Sequence, residues 1–457
     1  MTLALGALAG FLVLQVAIGV WVSRRIATED DYLVGGRRFG YTLATFSIFA
    51  TWFGAETMIG SAGEVYSGGL SLASAEPFGY ALCLILMGAL LAKPLWNRGL
   101  TTLADLYRAR FGVGVERLAA IVLIPTSVLW AAAQVRAFGS VIALVGDINL
   151  TVGIGVAAVF TIAYTTFGGL LADAVTDVLQ GVVLVTGLLL LLVLVIVRVG
   201  GAGAALDALA AGGGINLTPA DAGPWYATLE AWAIPVCGSL VATEVVGRVI
   251  AARNPTVAQR SSIGAGVLYL AVGCIPVLIA LLAGGFVGEL ADAEQVLPTV
   301  ARELLSPLAF AIFAGGLVSA ILSTVDSTLL VASGLLSHNL LVPWLGVSTD
   351  RGKVRLARAG VIGFGILAYA LAATASGVLG LVEQASAFGS AGILVTTLFA
   401  LFTTLGSPRT AALTLIAALL SYVGGVIAGI PTPFLASLAL ALLTWTIGCV
   451  TDSAASS

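Results

Sequence analysis

Small hydroxyl side chains recur at helical spacing in an apolar run between residues 304 and 336. Four residues at positions i, i+3, i+4 and i+7 share one helix face: Ala320, Ser323, Thr324 and Ser327. Such hydroxyls bond back to the carbonyl four residues earlier or join neighbouring helices. Together with Asp326 they also offer oxygen ligands, which hard cations prefer. We predict that two of these hydroxyls and three main-chain carbonyls form a cation site.

A second run, residues 41–66, combines a carboxyl group with helix-weakening glycines. Glu56 lies in the middle of the run, and Gly54, Gly60 and Gly63 interrupt it. Where such a run crosses a membrane, it can unwind locally and expose carbonyls that coordinate a cation. The alternative role of these glycines is close packing of helices. The carboxyl group beside Gly54 favours unwinding.

Other charged residues lie in apolar runs, where an ion is costly and needs a partner. Asp173 is close enough to the end of its run to be solvated, but Asp177, one turn later, needs a basic side chain or an ion. Arg136 is expected to face an internal cavity and to hold a carboxylate, because its forked guanidinium matches that group. A buried ion pair with Glu56 or Glu76 is an equal alternative for Arg136.

The aromatic residues, the histidine and the cysteines further limit the kinds of site that the protein can form. Trp52 and Trp130 either wall a pocket, where they would hold a cationic group by cation–π contact, or only pack. The single histidine, His338, is expected to be an exposed loop residue, and the four cysteines are scattered through apolar runs. Because these residues cannot assemble a zinc site or a Ser-His-Asp triad, we predict that the protein is not an enzyme.

The composition indicates the environment of these residues. Of the 457 residues, 59% are hydrophobic and 9% are charged, whereas soluble proteins have roughly 25% charged residues. So few charges cannot cover a water-facing surface, and we therefore predict an all-α polytopic membrane protein. The net charge of −3 argues against nucleic acid as a partner, because nucleic-acid binding needs a basic surface.

Apolar runs of ~20 residues, the length that crosses a bilayer, occur about thirteen times in the sequence. The predicted spans are residues 3–23, 41–66, 72–95, 115–146, 150–171, 174–198, 226–249, 258–286, 304–336, 354–375, 378–405, 409–428 and 433–450. The first has no basic segment before it and no small-residue cleavage site, so it is expected to be a retained helix and not a signal peptide. Residues 200–224 are predicted to form a loop with one short helix.

Basic residues place the connections between these spans. If the N-terminus is outside, 17 of the 20 Lys and Arg residues lie on the cytoplasmic side. They are Arg24, Arg25, Arg37, Arg38, Lys93, Arg98, Arg108, Arg110, Arg117, Arg248, Arg253, Arg260, Arg351, Lys353, Arg355, Arg358 and Arg409. We therefore predict a multi-pass protein of the cell membrane with its N-terminus outside and its C-terminus in the cytoplasm.

The long external loop separates two blocks of five helices, as in an inverted-repeat transporter. We predict a single transporter domain over residues 1–457, with a first repeat at 41–198 and a second at 226–405. The helix at 3–23 and the two helices within 409–450 are expected to be peripheral.

Several motifs resemble those of the sodium:solute symporter family, which includes sodium/proline, sodium/glucose, sialic acid and choline transporters. They are DYLVGGRR at 31–38, TTFGGL at 165–170, TDVLQ at 176–180, RVIAAR at 248–253 and AILSTVDS at 320–327. The choline transporter branch is the nearest likeness, through ATWFG at 50–54, AKPL at 92–95, WAAA at 130–133 and VLPTV at 296–300. The stretch VATEVVGR at 241–248 departs from that branch, which has Pro-Trp-Gln there.

The resemblance implies a leucine-transporter-like core of five plus five inverted-repeat helices that works by alternating access, with Na⁺ between the second and ninth spans. The implied sodium ligands are the carbonyls of Ala50, Phe53 and Ala320 and the hydroxyls of Ser323 and Thr324. Asp177 matches the aspartate that supports this site, or a second sodium, in relatives. The implied substrate residues lie across the two broken spans: Trp52, Glu56, Trp130, Arg136, Thr243 and Glu244.

Together these features predict a sodium-coupled symporter that imports a small organic solute. Arg136 favours a carboxylate-bearing or zwitterionic solute, such as an amino acid or a monocarboxylate, because it would repel a cation. A sodium symporter for choline, another quaternary ammonium ion or an osmolyte is the first alternative. A sensor that uses the transporter fold is the second. No obligate protein partner is expected.

Overall fold

Helices make up most of the chain in the computed structural model, which describes residues 28–168, 170–211, 214–218, 223–290 and 292–456 and a few positions before residue 28. The helices are α1 (Glu29–Val34), α2 (Tyr41–Trp52), α3 (Ala62–Gly68), α4 (Phe78–Asn97), α5 (Ala104–Phe111), α6 (Val113–Gly146), α7 (Leu150–Gly168), α8 (Leu170–Arg198), α9 (Ala202–Ala210), α10 (Trp225–Ala233), α11 (Thr243–Ala251), α12 (Pro255–Ala283), α13 (Val296–Leu304), α14 (Pro307–Leu345), α15 (Asp350–Thr374), α16 (Val378–Ala387), α17 (Ser390–Phe402), α18 (Pro408–Ile427) and α19 (Pro433–Ser456). Strands β1 (Leu70–Ser71) and β2 (Ile215–Asn216) pair in parallel.

Ten helices in the described residues are long and apolar enough to cross a membrane. They are α4, α6, the described part of α8, the pair α10 and α11, α12, α14, α15, the pair α16 and α17, α18 and α19. A shorter apolar helix lies within α7, and α2 with α3 occupies the predicted span at 41–66. Most of the first predicted span, 3–23, lies outside the described residues, so a total of thirteen stays a prediction.

Several predicted span boundaries differ from the structure, and two of the larger differences have a local cause. The third span, predicted at 72–95, begins at Phe78, because the residues before it form a connection in which the Ser71 N–H donates to the Ser74 hydroxyl. The ninth span, predicted to end at residue 336, continues to Leu345 because π-helical turns extend it.

Two of the membrane helices are broken near their middle. Helix α2 ends at Trp52, and Phe53 has the non-helical angles φ −88° and ψ 70° before π-helical turns lead into α3. A Cβ atom at Gly54 would lie 2.7 Å from Thr324 Oγ1 and 2.8 Å from Gln134 Oε1, so only glycine lets the break approach α14 and α6 this closely. The predicted unwinding at Gly54 is therefore confirmed.

The second break separates α10 and α11, where residues 239–242 are not helical. Ala242 has φ −58° and ψ 132°, and a Cβ atom at Gly238 would clash with the Ser386 carbonyl oxygen. Each break lies in the first helix of a predicted repeat. Breaks of this kind free main-chain groups that would be costly in lipid, so they must line an internal site.

The loops cluster at two ends of the helix bundle, which differ in charge. At the end here called the basic end, Arg37 donates to the carbonyls of Gly99 and Leu100, and Arg98 donates to the carbonyl of Leu401. At the opposite, acidic end, β1 pairs with β2 and Trp232 Nε1 donates to the Leu72 carbonyl. Loops that the sequence places on one side of the membrane thus contact each other.

Helix α6 is central to the bundle, because it packs along α7, α14, α15 and α16. Helix α2 is enclosed by α8, α11, α12 and α14. The two breaks are therefore surrounded by protein and not by lipid. At the periphery, α18 and α19 pack on each other and on α17.

Candidate functional site

Oxygen atoms from three helices meet beside the break in α2. Thr324 Oγ1 lies 3.4 Å from the Ala50 carbonyl oxygen and 3.3 Å from the Ala320 carbonyl oxygen. The neighbouring Ser323 hydroxyl donates to Asp177 Oδ1 on α8. Each of these residues is at most 3% exposed. The structure thus brings together five of the six residues predicted for sodium, and the sixth, Phe53, lies in the break itself.

A buried ion pair supports this group from the basic end. Arg248 on α11 donates to Asp173 Oδ2 at 2.5 Å and to the Ser327 hydroxyl. Ser47 on α2 donates to Asp177 Oδ2 at 2.7 Å and accepts from Arg248 Nε at 3.2 Å. Asp173 is therefore not solvated at the end of its run, because Arg248 is its partner in the interior.

Ser47 and Arg248 were not among the predicted ion-site residues. Ser47 precedes Ala50 by three positions, so helical spacing already places it on the same face as the predicted ligand. The sequence indicates that Arg248 belongs to the loop after the seventh predicted span, but in the structure it lies about one turn inside α11. The depth of Arg248 therefore required the structure.

The donor set suits an alkali cation. The cluster offers hydroxyl, carbonyl and carboxylate oxygens, the ligands of hard cations. Within the described residues, no group of three or more His, Cys, Asp or Glu side chains has the arrangement of a metal site. Asp173, Asp177 and Asp326 lie in the interior near Arg248, and unpaired buried carboxylates are costly. A monovalent cation beside Asp177 would offset part of that charge.

Three aromatic rings form the side of the site nearer the acidic end. The rings of Trp52 and Trp130 have centroids 5.0 Å apart, and Tyr80 is 5.9 Å from Trp52 and 6.1 Å from Trp130. All three side chains are buried, and Trp52 Nε1 has no hydrogen-bond partner. We call these residues the aromatic trio. Tyr80 was not predicted, although it lies in the next apolar run, one turn after Pro77.

Glu56 holds the start of the second half of the broken helix. Its carboxylate accepts from the Gly54 N–H at 3.2 Å and from Gln134 Nε2 at 2.9 Å. Gln134 Oε1 in turn accepts from the Ala55 N–H at 3.0 Å. These bonds satisfy N–H groups that the break exposes, and a carboxylate is favoured at such a helix start. Glu56 thus connects α6 to the break.

Thr243 and Glu244 begin α11 on the other side of the aromatic trio. The Ser127 hydroxyl donates to Glu244 Oε1 at 2.5 Å, and Thr243 Oγ1 lies 3.3 Å from Glu244 Oε2. They line a small cavity with Trp130 and Ser239. A separate cavity near the acidic end is lined by Glu56 and Tyr80, among others. The aromatic trio therefore lies between two cavities that share no lining residue.

Arg136 does not lie with the other predicted substrate residues. It is six positions beyond Trp130, or ~9 Å along the helix. Its guanidinium donates to the carbonyl oxygens of Ala372 at 3.2 Å and Ser376 at 3.0 Å. The C-terminal end of α15 favours a cation there. The expected ion pair with Glu56 or Glu76 is absent from the described residues, and Arg136 lines neither cavity.

His338 joins helices at the basic end and is not an exposed loop residue. Its Nδ1 lies 2.9 Å from Glu29 Oε1, and its Nε2 lies 3.4 Å from Asp105 Oδ1. Lys353 Nζ lies 2.8 Å from Glu29 Oε2. Both ring nitrogens face carboxylates, so both must donate. The imidazolium form of His338 therefore connects α1, α5 and α14.

Replacing His338 with alanine should lower stability more at pH 6 than at pH 4. Burial tends to raise the pKa of Glu29, but hydrogen bonds with His338 and Lys353 hold it below its ordinary value. Burial likewise tends to raise the pKa of Asp105, and the His338 hydrogen bond lowers it. Carboxylates with lowered pKa contribute stability above their unfolded pKa of ~4 and lose it as the pH falls. Because the groups are partly exposed, we expect about 1 kcal/mol at pH 6.

The measurement is thermal unfolding of the purified wild type and the variant at both pH values. An equal difference in midpoint at pH 6 and pH 4 would contradict the assignment.

Comparison with known proteins identifies the family. The model of the sodium:solute symporter family matches residues 32–442. The human high affinity choline transporter 1 is 28% identical over 401 residues, covering 81% of this chain and 68% of the relative. The sodium/glucose cotransporter of Vibrio parahaemolyticus is 24% identical and covers 86% of this chain and 79% of the relative.

Solved structures show the same fold. A Na⁺-coupled sialic acid symporter in a substrate-bound outward-open state superposes with a TM-score of 0.85 at 18% identity, covering 98% of this chain and 97% of that one. A nucleobase-cation-symport-1 family transporter in a closed conformation superposes with a TM-score of 0.63 at 16% identity. The predicted all-α, leucine-transporter-like fold is confirmed. The chain belongs to the sodium:solute symporter family, and it is a membrane transporter that couples the movement of a small solute to sodium.

Proposed function

We propose that this symporter carries a small organic cation, an amine or a quaternary ammonium ion. The observation that carries the proposal is the aromatic trio of Trp52, Tyr80 and Trp130, which lies between two cavities that both contain carboxylates. Aromatic faces attract ammonium groups by ~0.5–2 kcal/mol. Among the described residues that line either cavity, none is Lys, Arg or His.

This proposal changes the substrate class favoured by the sequence. The preference for a carboxylate depended on Arg136, whose guanidinium is bound to the carbonyls of Ala372 and Ser376. The choline transporters among the relatives support the cationic class. The segment before Arg248 has Thr243 and Glu244 where the choline branch carries a tryptophan. A hydroxyl and a carboxylate there suit a cation that also donates hydrogen bonds.

For the ion, we propose that Na⁺ binds the carbonyls of Ala50, Phe53 and Ala320 and the hydroxyls of Ser323 and Thr324. The proposal is supported by the proximity of four of these groups, the carbonyls of Ala50 and Ala320 and the hydroxyls of Ser323 and Thr324. A sodium ion at this site would hold the end of α2 against α14 and would thereby hold the ring of Trp52 in place. If sodium binds this conformation more tightly than others, it raises the affinity for the solute, and the solute raises the affinity for sodium by the same factor.

For the orientation, we propose that the basic end faces the cytoplasm, as the distribution of Lys and Arg indicates. Cysteines introduced at exposed positions Asp207 and Asp350, at the acidic and basic ends, test this with a reagent that does not cross membranes. Labelling of intact cells at position 207 alone is expected. Labelling at position 350 alone would show that the orientation is the reverse of the one proposed.

The substrate class is tested by uptake into proteoliposomes under an inward sodium gradient. Radiolabelled choline and a primary amine are compared with betaine, which adds a carboxylate to the same head group, and with propionate. We expect sodium-dependent accumulation of a cationic member of the panel. Accumulation of propionate or betaine alone would support the carboxylate class instead, and sodium-dependent binding without uptake would support a sensor.

Replacing Arg136 with glutamine should leave the KM of the transported solute unchanged. The residue binds carbonyls at the end of α15, so the expected loss is in stability, about 1–2 kcal/mol for hydrogen bonds of a charged group. Uptake kinetics and thermal unfolding of the same preparation separate the two effects. A rise in KM of about tenfold or more at unchanged stability would place Arg136 at the substrate.

A further inference from the structure

A cavity of about 200 Å³ at the acidic end contains none of the residues assigned above to sodium, and of the aromatic trio only Tyr80 lines it. Four carboxylates line it: Glu56, Glu64, Glu76 and Glu383. Much of the remaining wall is apolar, including Pro235 and Leu379. Its volume equals that of roughly seven water molecules at ≈ 30 Å³ each, so it accommodates a small organic ion and not a drug-sized ligand.

One carboxylate oxygen in this wall has no partner. Glu76 is 7% exposed. Its Oε1 accepts from the Thr57 hydroxyl and the Tyr269 hydroxyl, both at 2.5 Å, while its Oε2 is buried without a hydrogen bond. Leaving a buried acceptor unpaired costs ~1–3 kcal/mol. A ligand that donates a hydrogen bond or carries positive charge in the cavity would remove this cost.

The chemistry of the wall selects the kind of ligand. Four carboxylates and no basic side chain among the described lining residues exclude an anion. A chelated metal ion is also excluded, because no three of the acidic groups in the described residues are arranged as a metal site. Dispersed carboxylates with an apolar wall between them match a small organic cation, whose charge is diffuse and whose carbon atoms need apolar contact.

This cavity is separated from the small cavity near Thr243 by the aromatic trio. Tyr80 lines this cavity, and its hydroxyl lies 2.8 Å from the Ser386 hydroxyl, which belongs to the wall of the other cavity. An ion that enters from the acidic end must therefore pass the aromatic trio to reach Glu244.

We propose that the cavity lined by Glu64, Glu76 and Glu383 is a second binding site, where an organic cation binds before it passes the aromatic trio. The inference rests on the proposed function, since it concerns the same class of solute. The site raises the local concentration of cation at the trio, as charged clefts do. Its expected effect is on uptake at low solute concentration, not on the maximal rate.

The test is equilibrium binding of radiolabelled choline to the full-length protein in nanodiscs with sodium present. We expect two choline molecules per wild-type protein and one for the double variant Glu64→Gln/Glu383→Gln. Both side chains are exposed within the cavity, so their replacement removes charge without disturbing the core. In uptake assays the double variant should lower kcat/KM about tenfold while kcat stays unchanged.

The matched control is Asp207→Asn/Glu289→Gln, which removes the same charge at exposed positions outside the cavity. This variant should bind two choline molecules, like the wild type. A stoichiometry of one for the wild type, or of two for the cavity variant, would overturn the second site. No sodium-dependent binding of either choline or the primary amine by the wild type would overturn the proposed function itself, which distinguishes the two failures.

Discussion

We expect that replacing Thr324 with alanine will abolish sodium-stimulated uptake while the protein remains folded, and that replacing Ser323 with alanine will do the same. Thr324 Oγ1 lies within 3.4 Å of the carbonyl oxygens of Ala50 and Ala320, so its removal takes away one of the oxygens that α14 contributes beside the break in α2. Alanine is the best helix former, so α14 itself is retained. Uptake with and without an inward sodium gradient, together with thermal unfolding, measures the two effects.

The control for this prediction is Thr328→Ala. Thr328 is also a buried threonine of α14, but its hydroxyl donates to the Val325 carbonyl at 2.9 Å within the same helix. The substitution is chemically identical and lies about one turn away. We expect it to retain sodium stimulation. Full sodium stimulation in both Ser323→Ala and Thr324→Ala would contradict the assignment of the ion site.

Replacing Trp52 with leucine should raise the KM for a cationic solute by about tenfold to thirtyfold, since ~1.4–2 kcal/mol of cation–π attraction is lost. Leucine is chosen because alanine at a buried tryptophan would cost about 3–5 kcal/mol of stability. Trp130→Leu should act similarly, because the two rings are 5.0 Å apart. The measurement is the concentration dependence of sodium-driven choline or amine uptake.

Aromatic replacements provide the control. Trp52→Phe retains a ring and should change KM less than Trp52→Leu does. Tyr80→Phe retains its ring and removes only the hydroxyl that meets Ser386, so its effect on KM should also be small. If the leucine and phenylalanine variants of Trp52 had the same KM, the aromatic face would not be what holds the solute.

The break in α2 could be predicted because its causes are local. Gly54 beside Glu56 weakens the helix, and helical spacing alone places Ser323 and Thr324 on one face of α14. The structure adds the reason why glycine is required, which is the approach of Thr324 and Gln134 to the main chain. This approach could not be predicted, because the spacing of residues within α2, α6 or α14 alone does not indicate which side chains of the other helices will lie against Gly54.

Interactions between distant segments could not be predicted in this way. Asp173 and Arg248 are 75 positions apart, yet they pair at 2.5 Å. His338 reaches Glu29 across 309 positions. The sequence indicates only that Asp173 and His338 lie near the ends of their apolar runs, where solvent exposure is the simplest expectation. Their partners depend on which loops and helices meet at the basic end.

The contacts of Arg136 could not be predicted for a different reason. Arg136 lies within α6, as the sequence places it, and a guanidinium there needs acceptors. The acceptors are the main-chain carbonyls of Ala372 and Ser376. Unpaired carbonyls occur at the C-terminal end of every helix, so the amino-acid sequence does not indicate which of them will bind Arg136. A charged side chain in a membrane helix therefore indicates a polar partner, but its partner need not be the solute.

The central claim, sodium-coupled transport of an organic cation, is tested most directly by counting charge against sodium in the same proteoliposomes. Charge movement, ²²Na⁺ uptake and solute uptake are measured together at a fixed membrane potential. The account predicts that the charge moved exceeds the sodium taken up by one positive charge for each solute molecule. Charge equal to sodium would indicate a zwitterion, and charge smaller than sodium would indicate a carboxylate; either result would contradict the account.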